Sequence, residues 1–131
     1  MAIPLPRPNA DTKPYWDAAA RGQLLYQRCR ACNHVQFYPR GTCVACHADK
    51  IEWRESAKQG TIVTFTEVFR APTPAFKEMA PYIIALVDLD EGFRMMVNIV
   101  DRASSVIAIG GRVRIVFQEA SGVILPQGQL Q

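Results

Sequence analysis

The sequence predicts a mainly β chain in which a short N-terminal helix leads into a small metal-stapled ribbon, and the ribbon into a five-stranded barrel. Two observations carry that expectation. All four cysteines stand in two Cys-x-x-Cys pairs, Cys29-Arg30-Ala31-Cys32 and Cys43-Val44-Ala45-Cys46. From Gly60 onward, β-branched and aromatic runs follow one another with no long helical pattern between them. The units expected are an arm and helix over 1–23, the ribbon over 24–58 and the barrel over 59–131.

The first fourteen residues hold Pro4, Pro6, Pro8 and Pro14, which forbid a regular helix and favour an extended, polyproline-like arm. Such an arm gains order only by lying on a surface, either its own chain's or a partner's. Asp11 or Thr12 can cap a short helix over Pro14 to Arg21, with Gly22 as its stop. A helix this short is marginal alone, so Tyr15 and Trp16 on its opening turn must bury against the ribbon, the barrel or another subunit. Packing within the chain is the first expectation, and both aromatics are also candidates for a ligand or partner surface.

Leu24 to Arg28 reads as a strand entering the first cysteine pair and Val35 to Tyr38 as the strand leaving it. Each pair can aim two thiolates at one ion from a tight turn. The hairpin between them, bent at Pro39 and Gly41, folds Cys29, Cys32, Cys43 and Cys46 into a tetrahedral site suited to zinc. The residue after each pair must leave the helical region with a positive φ, and Asn33 and His47 tolerate that well. Two disulfides would need an oxidising compartment, and no signal peptide is read. A redox pair belongs in a strand-to-helix turn, which this stretch lacks. Iron shares the four-thiolate geometry, so zinc is expected while spacing alone leaves iron open. His34 and His47 could replace a sulfur, but with four cysteines already in place they are expected to be turn or surface residues. A closed four-sulfur shell has no open position, so the metal is expected to hold the fold rather than to catalyse. Ile51 to Glu55 alternates apolar and polar and closes the ribbon, with Trp53 over the metal module or the seam to the barrel.

The barrel strands are read at Thr61 to Phe69, Tyr82 to Leu89, Phe93 to Val100 and Arg112 to Phe117, with a shorter one at Gly122 to Leu125. A closed five-stranded OB-fold is the commonest solution for such a set; an open sandwich or an SH3-like barrel satisfies the same pattern. The segment Arg70 to Pro81 is apolar for a loop, and with Phe76 it is a candidate rim for a ligand pocket or partner interface. A loop folded back on its own barrel fits equally well.

Composition is that of a soluble globular chain, 49% hydrophobic and 21% charged, with no apolar run long enough to span a bilayer. A cytoplasmic, non-membrane protein is expected. The net charge of +3 is concentrated: residues 24–58 carry six basic and three acidic side chains, and residues from 59 onward six basic and seven acidic. Arg28, Arg30 and Arg40 therefore form a candidate surface for phosphate or an acidic partner, although an ordinary solvated ribbon carries the same charge. No nucleophile elbow, phosphate loop or dinucleotide fingerprint is present, and the cysteines are committed to metal. Asp88, Asp90 and Glu91 cluster near a turn, where acidic groups are ordinarily solvated. Independent catalysis is not expected.

The order of these parts, from Pro14-Tyr15-Trp16 through the paired knuckles to Ile107-Ala108-Ile109-Gly110-Gly111-Arg112-Val113, resembles a family of acyl-CoA-associated OB-fold proteins. That family carries an N-terminal rubredoxin-like zinc ribbon and was long known as a domain of unknown function. The resemblance covers nearly the whole chain. It implies zinc on Cys29, Cys32, Cys43 and Cys46, and a barrel that meets an acyl-CoA or the enzyme that holds one. It further implies a non-catalytic subunit in a hetero-oligomer with a thiolase-like or hydratase-like enzyme of lipid, polyketide or sterol side-chain metabolism. The polar tail after Pro126 departs from the family's usual ending. The alternative from another class is a single-stranded nucleic-acid-binding zinc-ribbon and OB protein. It is disfavoured because the barrel is slightly acidic and its aromatics suit a core.

Overall fold

The protein is described from a computed structural model covering residues 5–70, 73–77, 81–100, 107–120 and 122–131. The expected ribbon and the expected closed five-stranded OB barrel are both present. No helix among the described residues is long and apolar enough to cross a membrane.

Helix α1 spans Lys13–Ala19. Thr12 stands at its N-cap but makes no side-chain cap, contrary to expectation. Its hydroxyl instead accepts the Asn9 N–H while Asn9 Oδ1 accepts the Thr12 N–H, both at 2.9 Å, so the cap group is used to close the preceding turn. At the other end the Gly22 and Gln23 N–H groups donate to the Ala19 and Ala18 carbonyls, a Schellman pattern with Gly22 at φ 76°.

The ribbon is a three-stranded antiparallel sheet in the order β2-β1-β3, with β1 at Leu25–Cys29, β2 at Val35–Gln36 and β3 at Ile51–Glu55. The barrel follows as β4 (Gln59–Val68), a helical turn α2 (Pro74–Lys77), β5 (Tyr82–Leu89), β6 (Arg94–Ile99), β7 (Arg112–Ala120) and β8 (Val123–Leu130). It closes in the order β4-β5-β6-β8-β7. A register shift between Ile62 and Thr64 bends β4, which pairs with β7 through Gln59–Thr61 and with β5 through Gly60–Val68.

The last strand corrects the sequence reading. β8 does not stop at Leu125; it pairs with β7 from Ala120↔Val123 to Val113↔Leu130, so the glutamine-rich segment is a barrel strand. Its glutamines are tolerated because the ladder is made by backbone groups. Gly128 lets β8 reach β6. A Cβ there would lie 2.8 Å from Ile99 Cδ1, and the bare backbone instead accepts the Val100 N–H at 2.9 Å.

β5 buries Ile83, Ala85, Val87 and Leu89 on alternate positions, and Met95, Val97 and Ile99 of β6 do the same. Tyr15, Leu24, Tyr26 and Phe93 belong to the same core, so helix, ribbon and barrel share it. Tyr26 and Phe37 from the ribbon stack on Phe93 of the barrel at centroid distances of 4.9 and 5.3 Å, and Tyr15 meets Phe37 edge-on at 5.6 Å. Such pairs contribute about 0.5–1.5 kcal/mol each beyond the area they bury.

The connector between ribbon and barrel is pinned as well. Glu91 in the β5–β6 turn accepts the Ser56 hydroxyl and the Ala57 N–H, both at 2.8 Å, while Lys58 turns at φ 65° and its ammonium donates to the Gly22 carbonyl. Its acidic neighbours are occupied too: Asp88 pairs with Arg94 and Asp90 with Arg112, each at 2.7 Å.

Candidate metal centre

The two cysteine pairs fold as copies of one turn. In the first, the Asn33 N–H donates to the Cys29 carbonyl at 2.8 Å and the Cys29 N–H to the His34 carbonyl at 2.9 Å. In the second, His47 donates to Cys43 and Cys43 to Ala48, both at 2.9 Å. Asn33 and His47 take φ values of 66° and 65°, as their residue types led one to expect.

These turns bring four sulfurs within 4.8 Å of one another. Two contacts run between knuckles, Cys29 Sγ to Cys46 Sγ and Cys32 Sγ to Cys43 Sγ, both at 3.6 Å. Those gaps are far longer than the roughly 2.05 Å of a disulfide. They approach the separation of about 3.8 Å between sulfurs placed tetrahedrally on zinc bonds of about 2.3 Å. Cys29 and Cys43 are fully buried, while Cys32 and Cys46 are exposed.

Backbone N–H groups favour the thiolates. The Cys46 N–H, aided by that of Ala45, draws Cys43 down to about 6 against the effect of burial. Cys29 is lowered in the same way, with the Cys32 N–H leading and Ala31 assisting. At Cys32 the N–H near His34 pulls downward, yet burial and the three neighbouring sulfurs prevail and push it up to about 12. Four negative sulfurs this close repel one another, and a bound cation removes that conflict. The donor set and its spacing therefore fit a tetrahedral metal ion with no position left for water or substrate.

The other sequence candidates supply no ligand to this cluster. Arg28 donates to Asn33 Oδ1 at 2.8 Å and stands 3.9 Å from Glu52. Arg30 is exposed, and Arg40 is exposed with its guanidinium on the Pro39 carbonyl at 2.9 Å. Tyr15 is only 6% exposed and belongs to the shared core, and with Trp16 it lines a cavity at the seam between ribbon and barrel. Of the loop read as an apolar rim, residues 71–72, 78–80 and the Phe76 side chain lie outside the described residues.

The candidates Tyr15 and Trp16 line an apolar cavity of about 260 Å³ at the seam, whose other walls, Phe37, Tyr38, Met95, Met96 and Pro126 among them, the sequence did not single out. Tyr38 and Met96 are 66% and 62% exposed at its margin. Its walls come from α1, the ribbon hairpin, β6 and β8, so nothing short of the tertiary fold assembles it. The described arm residues Pro6 and Pro8 line a neighbouring cleft with Trp16 and Ile124, placing that part of the arm on the chain's own surface.

Two family models account for most of the chain. The one described as the ChsH2 rubredoxin-like zinc ribbon domain matches residues 16–52, and the one described as the ChsH2 C-terminal OB-fold domain matches residues 53–118. The chain belongs to the ChsH2 (DUF35) family. Among its relatives, a DUF35 domain-containing scaffold protein of Methanothermobacter thermautotrophicus is 36% identical over 76% of this chain and 74% of its own length. A probable enoyl-CoA hydratase alpha subunit of Thermomonospora curvata is 34% identical over 89% of this chain. The chain spans 36% of that relative's length, about a third. A solved structure described as an Ltp2-ChsH2(DUF35) aldolase matches with a TM-score of 0.84 at 32% identity, covering 96% of this chain and 98% of that one.

Proposed function

We propose that this ChsH2-type protein is a non-catalytic, zinc-braced accessory subunit. In this reading it docks on a thiolase-fold or hydratase-type enzyme in the cytoplasm and helps shape or cover the channel that holds its acyl-CoA. The observation that carries the reading is the near-complete match to the ChsH2(DUF35) chain of an aldolase described together with Ltp2. The relatives described as scaffold protein and hydratase subunit point the same way.

Zinc on Cys29, Cys32, Cys43 and Cys46 would be structural: it joins two turns of a ribbon that holds only a small share of the buried core. When bound it supplies charge neutralisation and a crosslink. The residues around it hold the hairpin that carries Phe37 and Tyr38 to the seam. Trp16, Tyr38 and Met96, wrapped around the apolar cavity, are the surface offered to the partner, because apolar and aromatic side chains at a cavity margin anchor protein interfaces. Arg28, Arg30 and Arg40 supply positive charge for the CoA phosphates, and the loop bearing Phe76 the apolar side of the channel. The nucleic-acid alternative gains nothing from the barrel, where Arg94 and Arg112 already pair with Asp88 and Asp90.

Co-expression with thiolase-fold and hydratase genes from the same locus, followed by sedimentation analysis, tests the reading. A stable hetero-oligomer whose thermal midpoint rises with acyl-CoA is expected. A chain that stays alone with every such partner and ignores acyl-CoA would remove the proposal.

A further inference from the structure

Two glutamines are buried beside the metal centre, Gln27 at 2% exposure and Gln36 at 7%, facing each other across β1 and β2. Gln36 Nε2 donates to Gln27 Oε1 at 2.8 Å and to the Thr42 carbonyl at 3.3 Å, while Gln36 Oε1 accepts the Val44 N–H at 3.0 Å. Gln27 completes the network by accepting the Arg40 N–H at 3.0 Å and donating to the Arg40 carbonyl at 3.1 Å. Gln36 thus grips the residue before Cys43 and the residue after it. A buried amide leaves its full desolvation cost unmet unless its donors and acceptors are used, and here they are spent on the hairpin that delivers the second knuckle.

We propose that Gln27 and Gln36 are positioning residues for the four-sulfur site: the amide pair fixes the hairpin, and with it the placement of Cys43 and Cys46 around the ion. The inference rests on the metal reading above. Outer partners that orient metal ligands are commonly worth about 10–100-fold in affinity, and here the amides act through the backbone that carries Cys43.

The test compares wild type, Gln36→Met and Gln27→Met, loaded with zinc or with cobalt(II) as a spectroscopic probe. Met keeps much of the side-chain volume and removes the amide bonds. Zinc release to a chromophoric chelator should quicken by about 10–100-fold in both variants, with displaced cobalt–thiolate bands. Val87→Ala, a cavity variant in the barrel core, serves as a control: it should lower thermal stability and leave release and spectrum unchanged. Equal release in wild type and the glutamine variants, or equal acceleration in Val87→Ala, overturns the inference while the metal reading stands. Failure of the wild type to take up either ion overturns both. Should the glutamine variants fail to fold, amide exchange in the loaded wild type decides: protection of the Val44 and Arg40 N–H groups is expected, and exchange at the free rate overturns the inference.

Discussion

Cys29 and Cys43 are buried at the first position of each pair, whereas Cys32 and Cys46 reach the surface. The buried pair also accepts backbone N–H bonds from Ala31, Ala45 and Cys46, which fix these sulfurs in place. Cys43→Ser should therefore lose most of its bound metal, read by elemental analysis of protein purified without chelators, and its thermal midpoint should fall. Metal ligands must be deprotonated. Affinity measured by competition should accordingly fall as pH falls, because protons compete with the ion for the sulfurs, and fall more steeply below about 6, where Cys43 also takes up its proton. An affinity flat from pH 5 to 8 would contradict this. Gly60 is a second decisive residue: a Cβ there would meet the Asp88 carbonyl oxygen at 2.6 Å, and a backbone atom cannot swing aside. Gly60→Ala should cost about 1–3 kcal/mol in urea unfolding, as overpacking does elsewhere.

At the scale of elements, the connector between ribbon and barrel is held by Glu91, a residue the sequence placed in a solvated acidic cluster. Glu91→Ala would strip the buried Ser56 hydroxyl and the Ala57 N–H of their acceptor. A loss of about 1–3 kcal/mol is expected in denaturant titration, with faster hydrogen exchange at residues 56–58. Asp88 and Asp90 are held below the ordinary carboxylate range by hydrogen bonds from Arg94 and Arg112. Their contribution is present above the unfolded carboxylate pKa and lost as pH falls through the folded values. The turn they flank should loosen only under acid conditions.

For the whole molecule, the aromatic seam packs the ribbon hairpin against the barrel, so removal of the metal should be felt at Phe93 through Phe37. The exposed margin of the cavity carries the docking proposal, and Tyr38→Asp with Met96→Glu is its test. Both side chains are exposed, so thermal stability should change little while the hetero-oligomer weakens by at least tenfold, corresponding to about 1.4 kcal/mol or more. Unchanged affinity in sedimentation or calorimetry would place the partner elsewhere.

Sequence alone determined the local features, because they depend on chemistry carried by neighbouring residues. Sulfur pairs at fixed spacing, Asn33 and His47 where φ must be positive, Gly22 at a helix end and β-branched runs all act within a few residues. Tertiary structure decided what needs distant groups to meet. The glutamine tail became a strand only because β7 and β6 offer it backbone partners, and Gly128 lets it come close enough to use them. Nothing local marks Gln27 and Gln36 for burial; the folded hairpin surrounds them. The apolar seam cavity draws on helix, hairpin and two barrel strands. Each is a long-range contact whose energy appears only when the chain has closed, and no local pattern records it.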